Sequence, residues 1–303
     1  MFQCLWGFTV DYKTIELNDI KEIAPFFQYA PWRTCDFTIG GMFMWRDYYK
    51  MEYCINNDSF FSRLRDSSDN YYYNLPLSSN LESSLKEFFE NNASSDGTIQ
   101  FCTVPEECLS FLSEHYNVVS SVDETDFADY LYLSESLTTL SGRKLSGHRN
   151  LIHQFEKNSP DWSFVPISSN CIDDIKRFFK DVYRVSSHAS SYELEENKKV
   201  LEVLNNYDLY NFIGGALLEN EEIIGFSIGE ILRDTIYIHI EKSIRDKKGA
   251  YQMLTNQFLK HFCTERIRYV NREEDMGDEG LRRAKNAYYP ERMLKKYTVK
   301  VQL

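Results

Sequence analysis

The stretch that decides the fold lies near the end of the chain and runs Ile267-Arg-Tyr-Val-Asn-Arg-Glu-Glu-Asp-Met-Gly-Asp-Glu-Gly-Leu-Arg-Arg-Ala-Lys-Asn-Ala-Tyr-Tyr-Pro290. Residues 267–270 favour a strand, residues 271–275 a polar loop, and residues 278–287 a helix that ends before Pro290. In open sheets, ligands bind beyond the C-terminal ends of strands, where helix N-termini present free N–H groups. We therefore predict a site in the loop.

Helix chemistry explains only part of this loop. Asp275 can cap the following helix, and the acidic residues after it lie in the first turn, where carboxylates are favoured. No such structural reason applies to Asn271, Arg272 and Glu273. We predict that these three residues bind substrate.

A second candidate segment is the strand predicted over residues 235–241. Its side chains alternate, with Ile236, Ile238 and Ile240 on one face and Tyr237, His239 and Glu241 on the other. His239 and Glu241 thus share a predicted face, where they can act as a base and the group that orients it. A half-exposed strand shows the same alternation, so both interpretations stay open.

Two basic clusters are candidate phosphate-binding sites. One is the loop after this strand, and the other is a helical stretch predicted over residues 136–157. The residues concerned are Arg245, Lys247, Lys248 and Gly249 in the loop, and Lys144 and Arg149 in the helical stretch. Cations beside a helix start can hold phosphate, although the second cluster can equally be a solvated helix face.

Strands and helices alternate along both halves of the chain. The strands are predicted at 51–55, 71–75, 98–103, 129–133, 162–166, 212–218, 223–229 and 235–241. The helices are predicted at 81–91, 106–115, 172–184, 193–205 and 250–262. This order indicates an α/β layer structure.

Length and charge divide the chain. Its 303 residues exceed the roughly 100–200 of one domain, which favours two. The net charge is −12, but residues 1–135 carry 8 Lys and Arg against 22 Asp and Glu, whereas the remainder carries 26 against 24. The acidic half should repel nucleic acid, so we expect no DNA partner, and phosphates should meet the second half.

Cysteine content and hydropathy indicate the cellular compartment of the protein. The seven cysteines are odd in number and never spaced Cys-x-x-Cys, which argues against a disulfide framework and a zinc site, so no metal is expected. The longest nearly apolar run, residues 212–218, is too short for a membrane span, and residues 1–8 lack a cationic leader. We expect a cytoplasmic protein without an integral membrane segment.

Several motifs together resemble a known family. They are Gly214-Gly-Ala-Leu-Leu, Ile224-Gly-Phe-Ser-Ile-Gly-Glu230, His239-Ile-Glu-Lys, Gly249-Ala-Tyr-Gln and Asn271-Arg-Glu-Glu-Asp-Met-Gly-Asp-Glu-Gly-Leu-Arg-Arg-Ala-Lys. The chain resembles bacterial proteins related to the C-terminal domain of phosphatidylglycerol lysyltransferase. This resemblance implies an α/β (α+β) fold of two tandem acetyltransferase-like (GNAT) domains, residues 1–135 and 136–303, with mixed, mostly antiparallel sheets.

The resemblance also implies a reaction, the transfer of an aminoacyl group from aminoacyl-tRNA to a hydroxyl or amine. Glu241, His239 or Asp275 would then be the base, Asn271 and Arg272 would hold the carbonyl or a phosphate, and the basic clusters would face the tRNA. The acceptor would be a small molecule or a peptide. The resemblance implies no definite cofactor; the co-substrate would be aminoacyl-tRNA or acyl-coenzyme A.

Two alternatives remain. The first is an acyl-coenzyme A-dependent N-acyltransferase, although the pyrophosphate signature of acetyltransferases is not met, because Asp246 and Tyr251 stand at its first and last positions. The second is a non-catalytic protein that binds a ligand or peptide on the same fold.

Overall fold

The computed structural model describes residues 11–66, 68–92, 97–184 and 189–302. The N-terminal stretch interpreted above as lacking a leader, with Cys4, lies outside these ranges. Fourteen strands are present in the described residues: β1 Lys13–Thr14, β2 Glu52–Asn56, β3 Ser59–Arg65, β4 Tyr71–Tyr73, β5 Thr98–Pro105, β6 Asn117–Asp123, β7 Asp129–Leu133, β8 Trp162–Pro166, β9 Ile213–Glu219, β10 Glu222–Leu232, β11 Thr235–Ser243, β12 Tyr269–Asn271, β13 Arg292–Leu294 and β14 Lys296–Gln302.

Eleven α-helices accompany them within the same ranges: α1 Ile20–Ile23, α2 Ile39–Phe43, α3 Leu81–Asn92, α4 Leu109–His115, α5 Ser134–Thr139, α6 Ser146–Asn158, α7 Ile172–Val182, α8 Ser191–Asn205, α9 Tyr207–Tyr210, α10 Ala250–Phe262 and α11 Glu279–Asn286. In the part of the chain that is described, no helix is long and apolar enough to cross a membrane.

The strands form two mixed sheets of seven. The first has the order β1-β2-β3-β4-β5-β14-β6, and its β4–β5 pair is parallel. The second has the order β13-β7-β12-β11-β10-β9-β8, and its β11–β12 pair is parallel. The other registered pairs are antiparallel. The predicted mixed, mostly antiparallel sheets are therefore confirmed.

Contacts divide the chain between Phe127 and Ala128, and the last residues, from Leu294 on, belong to the first unit. The sequence had suggested a division between residues 135 and 136 instead. The difference arises because β14 inserts between β5 and β6, where the alternating Val299 and Val301 are fully buried. Strand β7 belongs to the second unit because it pairs with β12.

Two features of the predicted element order changed. The helical stretch predicted over residues 136–157 is interrupted between α5 and α6, where Gly142 adopts a left-handed conformation with φ of 82°. Strands β1, β3, β6, β13 and β14 were not anticipated. Strand β6 in particular is mostly exposed and polar, so its own residues carry no strand periodicity.

A β-bulge in β11 changes which side chains share a face. Ile228 pairs with Ile240, but the next residue, Gly229, pairs with Ile238, so His239 is the extra residue. Before the bulge, Ile236 and Ile238 pack in the core with α10. After it, Ile240 joins Ile228 on the opposite face, and Glu241 turns toward α10. The prediction that His239 and Glu241 share a face is wrong, because alternation fails at the extra residue.

Gly249 fixes how α10 begins. It precedes α10 with φ of 86°, and a Cβ added there would lie 2.2 Å from the backbone oxygen of Leu151 in α6. Since L-residues rarely adopt this conformation, both the backbone and the close approach to α6 require glycine. Gly249 therefore has a structural reason for its identity.

We expect Gly249→Ala to lower the free energy of unfolding by about 2 kcal/mol or more, from backbone strain and the clash with α6. Urea denaturation followed by far-ultraviolet circular dichroism measures this change. The matched control is Gly147→Ala in α6, where no atom lies within 4 Å of the added Cβ. The control should be neutral or stabilise by up to about 1 kcal/mol. Equal effects of the two substitutions would contradict the proposed role of Gly249.

Candidate functional site

The candidate site lies where β11 and β12 part. Residues 235–237 pair in parallel with residues 269–271, and beyond this point side chains rather than backbone join the two segments. Arg272 Nη2 lies 2.5 Å from Glu241 Oε2, and Glu273 Oε1 lies 2.6 Å from His239 Nδ1. Arg272 and Glu273 reach opposite faces of the sheet. The structure therefore builds two polar clusters, one on each face of the sheet.

The first cluster, on the α10 face, surrounds Glu241. Its carboxylate accepts a hydrogen bond from Thr255 Oγ1 at 2.6 Å and pairs with Arg272. The guanidinium of Arg272 also lies 4.9 Å from the centre of the Tyr288 ring. Burial lowers the pKa of Arg272, but the Glu241 carboxylate overrides this effect and raises it. A carboxylate and a permanent cation thus stand side by side.

Three polar atoms of this region are buried without a hydrogen-bond partner among the described residues: Arg272 Nη1, Ser227 Oγ and His148 Nδ1. Ser227 pairs in register with Glu241, and the His148 ring stacks on Tyr288 at 3.8 Å. Burial lowers the pKa of His148, which keeps the imidazole neutral. Buried polar groups are normally paired, so these atoms are available to a polar ligand.

The second cluster, on the opposite face, encloses His239. Its Nε2 lies 2.8 Å from Glu230 Oε1, while its Nδ1 contacts Glu273. Burial alone would lower the pKa of His239, but the hydrogen bonds to Glu230 and Glu273 raise it to about 10. The ring is therefore an imidazolium at neutral pH, with both nitrogens donating. It has no lone pair with which to accept a proton.

Two buried side chains shape the loop after β12. Asn271 Nδ2 donates to Asp129 Oδ2 at 2.8 Å, and Asn271 Oδ1 accepts from the Glu273 backbone at 2.6 Å. Lys285 Nζ, from α11, donates to the backbone oxygens of Arg272 at 2.6 Å and Glu273 at 3.2 Å. Burial lowers the pKa of Lys285. The loop is held from both sides.

Asp275 completes this anchoring. Arg282 makes two hydrogen bonds to it, from Nε at 2.9 Å and Nη2 at 2.7 Å, and Tyr130 donates at 2.5 Å. Burial opposes ionisation, but these bonds and the Gly277 amide lower the pKa of Asp275 to about 2. A carboxyl group with so low a pKa, bonded to this many donors, is a weak base. Asp275 therefore holds the loop in its conformation.

The structure divides the predicted phosphate-binding residues. Arg245 and Lys248 are exposed, whereas Lys247 is bonded to Glu219 and lies 3.3 Å from Ser159 Oγ. The charge of Lys247 is thus already balanced by the Glu219 carboxylate. Within the loop, Arg245 and Lys248 keep their charges toward solvent.

The cluster between α5 and α6 is divided in the same way. Arg149 donates to the backbone oxygens of Leu140 and Gly142, the latter at 2.7 Å, and so closes the end of α5. Lys144 is exposed and lies 5.2 Å from the centre of the Tyr289 ring. No described contact joins either residue to the loop before α10.

Sequence reasoning missed several residues of the two clusters and of the loop after β12: Ser227, Glu230, Thr255, Lys285 and Tyr288. None of them stands within a few residues of its partner along the chain, so local periodicity gives no signal for them. The family motifs did include Ser227 and Glu230 within Ile224-Gly-Phe-Ser-Ile-Gly-Glu230, and Lys285 at the end of the motif that begins at Asn271, but gave no reason to choose any of the three.

Comparison with known proteins assigns the sequence to a family. The sequence profile of the family described as phosphatidylglycerol lysyltransferase, C-terminal, matches residues 27–300. The chain belongs to this family. Family membership supports a transferase-like role for the chain.

Two other proteins are similar to this chain. A crystal structure of a conserved protein of unknown function from Bacteroides thetaiotaomicron is 26% identical, with a TM-score of 0.85, over 97% of this chain and 100% of that one. An uncharacterised protein of Mycoplasmoides gallisepticum is 25% identical over 197 residues, which are 64% of this chain and 62% of that protein. The match thus spans less than two thirds of the Mycoplasmoides protein.

A third comparison concerns the fold alone. The C-terminal domain of a putative lysylphosphatidylglycerol synthetase from Agrobacterium fabrum is 12% identical, with a TM-score of 0.65, over 95% of this chain and 93% of that domain. The predicted fold class, α/β (α+β) with a mixed, mostly antiparallel sheet in each of two units, is confirmed.

The imidazolium of His239 predicts a pH dependence of stability. The folded pKa of about 10 lies above the ordinary value of 6.5, so the stabilisation is complete below pH 6.5 and is lost as the pH rises through 10. Between about pH 7.5 and 9.5 the wild type should lose about 1.4 kcal/mol per pH unit more than His239→Gln.

Urea unfolding at several pH values measures this difference. The control is His153→Gln, because His153 is an exposed histidine on α6. His153→Gln should keep the slope of the wild type. A wild-type slope no steeper than that of His239→Gln would show that His239 is neutral in the folded protein.

Proposed function

We propose that this protein transfers an aminoacyl group from aminoacyl-tRNA to the amine or hydroxyl of a small-molecule or peptide acceptor. The observation that carries the proposal is the contact between Glu241 and Arg272 where β11 and β12 part, in a chain of this family. A proton acceptor and a fixed cation are the two groups that such a transfer needs.

The reaction can be written with these residues. The acceptor nitrogen or oxygen attacks the ester carbonyl carbon while the Glu241 carboxylate removes its proton. Arg272 Nη1, buried without a partner among the described residues, donates to the carbonyl oxygen as negative charge develops on it. The ester C–O bond then breaks, and the protonated Glu241 returns the proton to the departing ribose oxygen.

Among the three predicted bases, the geometry favours Glu241. His239 is held between two carboxylates through both ring nitrogens, and Asp275 is bonded to Arg282 and Tyr130. Both residues instead hold the loop that carries Arg272 in position. His239 does so through its contact with Glu273, and Asp275 belongs to the loop itself. Glu241 is also paired with a cation, but that cation is Arg272, whose Nη1 is buried without a partner among the described residues.

The donor phosphates have two candidate contacts in the loop before α10. Arg245 and Lys248 are exposed there, at the end of the strand that carries Glu241. Phosphate contacts by such cations supply affinity that falls with salt concentration. A coenzyme A donor has less support, because Asp246 and Tyr251 stand at two positions where the pyrophosphate signature requires other residues.

We expect Glu241→Gln to reduce the rate of aminoacyl transfer at least about 100-fold, because an amide cannot accept the proton of the acceptor. Transfer of radiolabelled amino acid from charged tRNA to an amine acceptor measures this rate, and filter binding checks that tRNA affinity stays within about twofold. Glu265→Gln, at an exposed glutamate, is the control and should keep full activity. Full activity of Glu241→Gln would remove it as the base, and transfer from acyl-coenzyme A instead would establish the alternative donor.

We expect Arg245→Ala with Lys248→Ala to weaken tRNA binding. The slope of log affinity against log salt concentration should fall by about 1 to 2, because two phosphate contacts are removed. Arg177→Ala with Lys180→Ala removes the same two charges from the exposed side of α7 and should leave the slope unchanged. Identical slopes for both double variants would contradict a tRNA contact at this loop.

A further inference from the structure

A groove in the second unit lies outside the site described above. It has a volume of about 450 Å³ and runs between β8 and the last turns of α10. Six residues line it: Trp162, Ser163, Phe164, Gln257, Lys260 and His261. Strand β8 ends the order of the second sheet, so no strand of the described residues covers its outer edge.

Aromatic rings form the floor of this groove. Trp162 and Phe164 are two residues apart on β8, so they point to the same face, and both pack partly buried against the core beneath α10. Gly215 on β9 leaves room for the Phe164 ring, since a Cβ there would lie 2.0 Å from it. The His261 ring lies 5.9 Å from that of Phe164. Three rings thus border one opening.

The rim of the groove is basic. Lys260 and His261 are exposed in the last turn of α10, and no carboxylate is among the lining residues. Glu219, which pairs with Trp162 across the strands, is bonded to Lys247. Gln257 adds an amide that can both donate and accept. The groove therefore combines flat apolar surface, a hydrogen-bonding amide, an exposed imidazole and one exposed cation, Lys260.

A nucleotide matches this combination. Its base is planar and stacks on aromatic side chains, its edge carries donors and acceptors, and its phosphate is attracted to lysine. Unpaired bases are needed, because a base within a duplex has no free face. We propose that the groove binds an unpaired nucleotide of single-stranded RNA, with the base on Trp162 and Phe164 and a phosphate at Lys260 and His261.

This proposal goes beyond the transfer reaction. The groove lies at the C-terminal end of α10, whereas Arg245 and Lys248 precede its N-terminal end. The 13 residues of α10 extend over about 20 Å. A strand of RNA held at the groove would therefore occupy a surface separate from the predicted phosphate contacts in the loop.

The test uses fluorescein-labelled single-stranded hexaadenylate, whose binding to the full chain is followed by anisotropy. We expect Lys260→Ala with His261→Ala to raise the dissociation constant at least fivefold. The matched control is Lys157→Ala with His153→Ala, the same two residue types exposed on α6. The control should change the dissociation constant less than twofold. Equal effects of the two double variants would overturn the proposal.

Base stacking is tested separately. Binding should quench the fluorescence of Trp162. The other three tryptophans of the chain lie at or before residue 45. Trp162→Leu should weaken binding about 5- to 100-fold and remove the quenching, with its melting temperature confirming that it folds. An abasic ribose-phosphate hexamer should bind much more weakly than hexaadenylate. Equal binding of the abasic strand, or no binding of hexaadenylate at millimolar concentration, would overturn the proposal.

Neither measurement depends on aminoacyl transfer. Glu241→Gln should bind hexaadenylate like the wild type, since Glu241 does not line the groove. Absence of transfer by the wild type, with its hexaadenylate binding intact, would count against the proposed function alone. Failure of hexaadenylate to bind, with transfer intact, would count against the groove alone.

Discussion

The β-bulge at His239 controls which chemical groups meet in the second unit. With regular alternation, Glu241 would join His239 on the face opposite α10. The extra residue turns Glu241 toward α10 instead, where Thr255 and Arg272 bind its carboxylate. Bulges re-aim side chains in this way and are frequent beside functional sites. The pairing of β11 with β12 stops within two residues of the bulge, and the side chains of the next loop fill the gap.

Buried charges in this region all have partners of opposite sign or strong dipoles. His239 lies between Glu230 and Glu273, and the Lys285 ammonium is directed at backbone oxygens of the loop. An isolated buried charge is costly, and removal of one partner from a buried pair destabilises strongly. Such networks hold the loop after β12 in one conformation. Arg272 is thereby placed against Glu241 instead of extending into solvent.

Much of the fold follows from local patterns. The limits of α10 and β8 are those predicted, and the strands with strong apolar alternation were found within one to three residues. Local patterns failed where partners are distant. Strand β6 is polar and exposed, and it is a strand because it pairs with β14, almost 180 residues away in sequence.

The sequence by itself pointed to the loop that carries the candidate site, because Asn271, Arg272 and Glu273 have no role in capping a helix. It also determined the family, through motifs that extend over the second half of the chain. Only the tertiary structure decided the partners: Glu241 with Arg272, His239 with two carboxylates, and Asp275 with Arg282. The physical reason is the bulge. One residue without a cross-strand partner reverses the side-chain alternation, and the sequence of β11 contains no glycine or proline to mark its position.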